Sequence, residues 1–311
     1  MSEFLEALRN PDISFLRYAL IAGVLASVSF GVVGTYVVAR RISYIAGAIS
    51  HCVLAGIGAA LFLQRRAGLE WCLPLYGALV SALAAAILIG LVSLYARQRE
   101  DTVIGALWAV GMAIGLLFIA KTPGYIDPMS YLFGNIMLIA RQDIWMVAGL
   151  DLIVVGLSLF FYNKFLAICF DEEFARLRGI RVELYYLMLL CLTALTVVLL
   201  ITVVGIVMVI ALLTLPAAVA GHFSKRLWQM MAFSVIFCVA FTVAGLGCSY
   251  TYNLPSGPTI IVIAGAAYLA VMVAKRLWQS LKGAIKISGY RNSSASQIVN
   301  FKNPGAPLEK S

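Results

Sequence analysis

Charge is what this chain of 311 residues has least of: Lys, Arg, Asp and Glu together make 12% of it, against 62% hydrophobic residues. An ordinary soluble domain carries about 25% charged residues, so no water-soluble core could absorb this much apolar surface. Histidine is scarcer still, with His51 and His222 the 2 copies. That is a poor stock of ligands or bases for an intramembrane enzyme, and neither His-Glu-x-x-His nor Gly-x-Ser-x-Gly in a strand–helix setting occurs. The phosphate loop Gly-x-x-x-x-Gly-Lys-[Ser/Thr] is missing too. The 6 cysteines show no paired spacing of a disulfide framework or zinc knuckle. Most lie in apolar runs, where Cys behaves as a small hydrophobe. Met1 to Pro11 carries Glu3, Glu6 and Arg9, without the basic flank and cleavage site of a secretory signal.

What is present is a succession of long, nearly charge-free segments at 17–39, 45–63, 73–95, 103–120, 144–162, 184–203, 205–221, 228–250 and 258–275. Most approach the ~20 residues needed to cross a bilayer as helix. Strands are excluded by the lack of dyad alternation and by the impossibility of an open sheet edge in lipid. The expected fold is all-α, a polytopic membrane protein of eight or nine transmembrane helices. Gly205, Pro216 and a run of small residues predict that 205–221 is broken or re-entrant, and that segment decides the count. Residues 1–16 read as an interfacial segment, 17–276 as the transmembrane domain, and 277–311, rich in Ser, Asn, Pro and Gly, as a disordered cytosolic tail.

The formal charge of +9 reflects topology, because the basic residues sit at helix ends. Arg40 and Arg41, Arg97 and Arg99, Lys164 with Arg176, Arg178 and Arg181, Lys225 and Arg226, and Lys275 and Arg276 share one face if the spans alternate. The positive-inside rule makes that face the cytosol. Arg65 and Arg66 depart from the pattern. Nucleic-acid binding is not expected.

Taking Arg41 as the boundary, ten residues at about 1.5 Å each place His51 roughly 15 Å deep, at the bilayer midplane. Gly47, Leu54, Ala55 and Gly58 share its helix face, and the glycines leave room either for a close helix or for a passing ion. Cys52 points about 100° away. Two readings stay open: a ligand or proton carrier on a pathway, or one interhelical hydrogen bond that serves packing. Asp151, inside 144–162, either lines the same cavity or is satisfied by polar protein or water. His222, just before Ser224-Lys225-Arg226, reads as a helix-end residue at a membrane face.

The largest polar stretch between spans is 163–183. Asp171, Glu172 and Glu173 open a short helix at its positive dipole end, Arg176 and Arg178 close it, and Gly179 stops it. Phe174, Leu177 and Ile180 give it an apolar face, which suits either a docking partner or an ordinary loop helix. On the opposite side, 121–135 and 251–258 are Pro/Gly-rich turns with interfacial aromatics, like the rigid mouth of a pore.

Taken in order, Arg40-Arg-Ile-Ser-Tyr through Ser50-His51 and Gly56, Tyr131-Leu-Phe-Gly-Asn, Asp171 to Gly179, Leu212-Leu-Thr-Leu-Pro-Ala-Ala and Pro255-Ser-Gly-Pro resemble five motifs of one family. That family is the permease subunits of bacterial ABC importers for zinc, manganese or iron, and the resemblance covers about residues 15–275. It implies a multi-pass permease of the bacterial cytoplasmic membrane, with no enzymatic activity and no permanently bound cofactor. A divalent metal would be its cargo. Its partners would be a second permease copy or paralogue, cytosolic ABC ATPase subunits, and a metal-binding extracytoplasmic lipoprotein or periplasmic protein. His51 matches the family's pathway ligand, Gly47 and Gly58 would border the pathway, and Asp171, Glu172, Phe174, Ala175, Arg178 and Gly179 fall in the ATPase-coupling segment. The family motif has Asp where this chain has Gly47. Imidazole suits zinc, iron, nickel or copper and carboxylate favours manganese or magnesium, so zinc is the expected ion, with manganese or iron the other choices. Asp151 is the one candidate to replace the missing charge. The competing expectation is an ion-gradient-driven carrier in which Asp151 and His51 relay protons.

Overall fold

The computed structural model describes Phe4, Glu6, Ala7 and residues 14–95, 100–124, 128–134 and 141–302; the side chains of 280–302 are among those left out. Every apolar segment of the sequence becomes a helix, and no strand occurs among the described residues. The helices are α1 Ser14–Ala39, α2 Ser43–Arg66, α3 Pro74–Tyr95, α4 Glu100–Lys121 and the short α5 Pro128–Phe133. There follow α6 Arg141–Phe160, α7 Tyr162–Phe170, α8 Glu172–Leu177, α9 Val182–Val204, α10 Ile206–Phe223, α11 Leu227–Tyr252 and α12 Ser256–Lys302. β-branched residues are frequent in them, but in hydrocarbon the backbone must satisfy its own hydrogen bonds, and that requirement outweighs a weak helix propensity. By length and composition 7 helices can cross a membrane, or 8 with the bent pair α6–α7 counted as one, among the described residues. In α9 the shorter stretch Val182–Val198 is also apolar.

Two compact units are present, Met1–Gly265 and Ala266–Ser311. In the first, α1 and α2 are the central helices, with most of their span windows buried, 72% and 78%, against 17% for α4. α1 packs on α6, α10 and α11, while α2 packs on α3 and α4. Phe4 and Ala7 are buried, and the Phe4 ring lies 6.2 Å from Tyr250; the rest of 1–13 falls outside the described residues. The second unit holds the remainder of α12, which runs to Lys302.

The break expected within 205–221 falls at its first residue. Gly205, at φ 83° and ψ 158°, is the single residue between α9 and α10, and α10 then runs unbroken through Pro216. A proline removes one N–H and opposes one carbonyl, which kinks a helix without necessarily ending it. The sharp bend lies instead between α6 and α7, 66° at Phe161.

Arg65 donates to the Pro123 carbonyl at 3.2 Å, tying the end of α2 to the turn after α4 on the same face. Burial pushes the Tyr131 phenol up from its ordinary pKa, with Arg65 opposing it. The Arg65 departure from the basic-residue pattern is therefore a structural anchor of the outer turns.

Candidate ion pathway and coupling site

The site is built where α2 meets α4. At Gly58 an added Cβ would lie 2.5 Å from the Gly115 carbonyl oxygen, and at Gly111 one would lie 2.8 Å from Cys52 Sγ. Such small residues let two backbones approach closely in a membrane, where packing and hydrogen bonds drive association. Cys52 Sγ donates to the Leu107 carbonyl at 3.3 Å and fixes the register of the pair. On α2's other side Gly56 and Gly77 of α3 abut in the same way.

The histidine lies at the start of these contacts, next to Cys52. His51 is buried, 9% exposed, and its ring stacks on Trp108 of α4 at 4.6 Å between centroids and 22° between planes. Its Nδ1 is buried and has no hydrogen-bond partner among the described residues. Gly47 makes the stack possible, since a Cβ there would sit 2.9 and 3.0 Å from Trp108 Cζ3 and Cη2. Both glycines named from the sequence thus admit α4; the space beside them is taken by that helix.

Asp151 lies elsewhere. Its carboxylate accepts from the Ser29 backbone N–H at 3.2 Å and from the Ser29 hydroxyl, joining α6 to α1. No described contact brings it to His51, and among the described residues no group of three or more His, Cys, Asp or Glu could hold a metal ion. His222 falls in the last turn of α10 and is partnered there.

The polar stretch 163–183 folds as α7, α8 and the start of α9. Asp171 caps α8 by accepting from the Phe174 N–H at 2.9 Å, Ala175 is fully buried, and Gly179 takes φ 74° to end the turn. Phe174 and Leu177 stand 48% and 86% exposed, with the Arg178 guanidinium 4.6 Å over the Phe174 ring, while Ile180 packs against the core. Glu172 pairs with Arg40, whose guanidinium also lies 5.4 Å over the Tyr186 ring. Arg40 belongs to the turn between α1 and α2, so α8 is bonded directly to the entry of the helix that carries His51. A cavity of about 360 Å³ opens there, lined by Arg40, Arg41, Tyr44, Ser93, Glu172 and Tyr186.

At the opposite face a second cavity of about 290 Å³ is lined by Leu16, Phe133, Gly134, Tyr250, Asn253 and Pro255 among others. The α5 end seats on two glycines: a Cβ at Gly205 would meet the Phe133 and Gly134 backbone, and one at Gly257 would lie 2.5 Å from the Phe133 carbonyl oxygen. Asn253, left-handed at φ 53°, caps α11, and Ser249 donates to Leu254 O at 2.6 Å, so the 251–258 turn is held from within. Asn135, which completes the outer motif, lies outside the described residues, as do Arg97 and Arg99.

Sequence reasoning missed Trp108 and Ser29. A glycine in the middle of an apolar face signals that something from another helix fills the room, but which residue does so is not written locally.

Residues 12–275 match the ABC 3 transport family. Among relatives, the "Probable metal transport system membrane protein" of Chlamydia pneumoniae is 39% identical over 257 residues, 82% of this chain and 87% of that one. The manganese transport system membrane protein MntC of Listeria monocytogenes is 35% identical over 262 residues, covering 84% and 90%. Among solved structures, PsaBC from Streptococcus pneumoniae in complex with Fab superposes with a TM-score of 0.76 at 30% identity, covering 87% of this chain and 94% of that one. The chain therefore belongs to the ABC 3 transport family and is a permease, a multi-pass transport subunit of the bacterial cytoplasmic membrane rather than an enzyme.

Proposed function

We propose that this permease carries a divalent metal ion inward, with ATP hydrolysis supplied by cytosolic subunits docked on α8 and the ion delivered by a separate extracytoplasmic binding protein. The observation that carries the reading is the buried, unpartnered Nδ1 of His51 on a central helix. A polar nitrogen left unpaired costs about 1–3 kcal/mol, which a passing ion or an opened conformation can recover. Two permease copies, or this chain with a paralogue, would bring two such histidines to one path. The names of the Chlamydia and Listeria relatives support a metal as cargo.

Zinc is the ion proposed. Imidazole nitrogen serves zinc well, and the room beside His51 that an oxygen ligand at position 47 would need is filled by Trp108. Manganese is the second reading, favoured by the Listeria relative. A gradient-driven carrier finds less support, because Asp151 is engaged by Ser29 on α1.

The test is metal-dependent ATPase activity and uptake by the reconstituted complex with Zn, Mn and Fe, comparing wild type with His51→Ala. Uptake should need the ATPase and fall sharply in the variant. Uphill transport without ATPase would overturn the ATP-driven reading, and unchanged uptake by His51→Ala would remove His51 from the pathway.

A further inference from the structure

We propose that Trp108 is the positioning residue of His51: its indole, admitted by Gly47, sets the imidazole plane and so governs which ion the histidine accepts. The inference rests on the reading of His51 as the ion ligand.

Three observations meet at this point. The ring stack at 4.6 Å and 22° is close to parallel, so rotation of the imidazole about χ2 would break it. Nδ1 has no hydrogen-bond partner among the described residues, so no hydrogen bond at this nitrogen holds the ring. Metal-binding histidines are ordinarily oriented by an outer partner of the ring; with Nδ1 left open to an ion, the aromatic surface of Trp108 takes that part. Finally, the indole carbons occupy the place of any side chain at position 47, so Gly47 and Trp108 are mutually dependent. The α4 backbone cannot retreat to relieve a clash, because Cys52 is bonded to Leu107 and Gly111 is pressed on Cys52 in the adjacent turn.

The indole also acts electrostatically. An imidazole that shares its lone pair with a divalent cation becomes electron-poor, and a π face stacked on it is then favourably placed. That help is weaker than a carboxylate's and carries no net charge, so it favours an ion content with nitrogen ligation and leaves it easy to release. An oxygen-seeking ion gains nothing from it.

Uptake kinetics and tryptophan emission of the reconstituted complex test the proposal. Trp108→Leu should raise KM for the transported ion about tenfold, the lower end of the range for losing an orienting partner, with kcat little changed. Trp108→Phe, which keeps an aromatic face, should restore most of the loss, and Gly47→Ala, which evicts the indole, should reproduce it. Zn titration should alter the emission of wild type, and the response should vanish in both Trp108→Phe and His51→Ala. Equal KM in wild type and Trp108→Leu, equal damage from Leu and Phe, or a metal response that survives Trp108→Phe would each overturn it. If Trp108→Leu does not assemble, the emission comparison decides alone. Failure of the His51 reading looks different, since His51→Ala would then transport normally.

Discussion

At the scale of single residues, two backbone positions show conformational strain borne and avoided. Arg41 is left-handed at φ 62°, and the bonds Ile42 N–H to Val37 O and Arg41 N–H to Val38 O close a Schellman cap on α1 around it. Glycine is the usual residue there, so Arg41→Gly should stabilise the detergent-solubilised protein by about 1 kcal/mol, read as a raised Tm. A lowered Tm would mean that the Arg41 side chain makes a stabilising contact worth more than the strain. Gly205 is the converse case. Its φ and ψ belong to a region essentially closed to other residues, and Phe133 and Gly134 press on the place of its Cβ. Gly205→Ala should cost at least about 1–3 kcal/mol, and an unchanged Tm would show that the α9–α10 turn can relax. Asp151 is a structural residue in this conformation, since Ser29 supplies both of its described donors; Ser29→Ala should lower stability more than it alters ion preference.

Among elements, the important joint is that between α8 and the entry of α2. Exposed ion pairs contribute little, but the Arg40–Glu172 pair is half-buried and braced by Tyr186, which itself bonds Ser93 of α3 at 3.2 Å. These contacts tie α8, the α1–α2 turn, α9 and α3 to one another, so on the proposed docking of an ATPase at α8 a push there would reach all four. Glu172→Gln is expected to leave folding and basal ATPase activity nearly intact while reducing ions moved per ATP hydrolysed. The charge exchange Arg40→Glu with Glu172→Arg should recover part of the coupling; full transport by Glu172→Gln would show the pair to be ornamental. Asp171→Ala removes the α8 cap and should destabilise that helix by about 1 kcal/mol, weakening ATPase binding at constant transport-site affinity.

For the whole molecule, the two faces are distinguished by what gathers there. One carries the Arg40–Arg41 turn, α8 and the start of α9; the other carries the start of α1, α5, Gly205 and the 251–258 turn. With α9 running from the first to the second and α10 returning to the basic Lys225–Arg226 turn, the alternation of spans follows the positive-inside rule. The apolar span of the last helix ends at Gln279. Truncation after that residue should leave uptake unaltered, and its loss would assign the 280–311 segment a role in assembly.

The spans and their approximate ends were legible in the residues themselves, because hydrocarbon tolerates only helices with internally paired backbones. The α8 cap and stop were legible too, from local hydrogen bonding by Asp171 and the positive φ of Gly179. The partners did not follow. Ser29 and Asp151 lie 122 positions apart, and Trp108 reaches His51 from another helix through room made by Gly47. A uniformly apolar helix carries almost no signal of which neighbour it faces, since lipid and protein are equally good surroundings for its side chains. Only the packing of glycine against backbone, and of the few polar groups against each other, decides that in the tertiary structure.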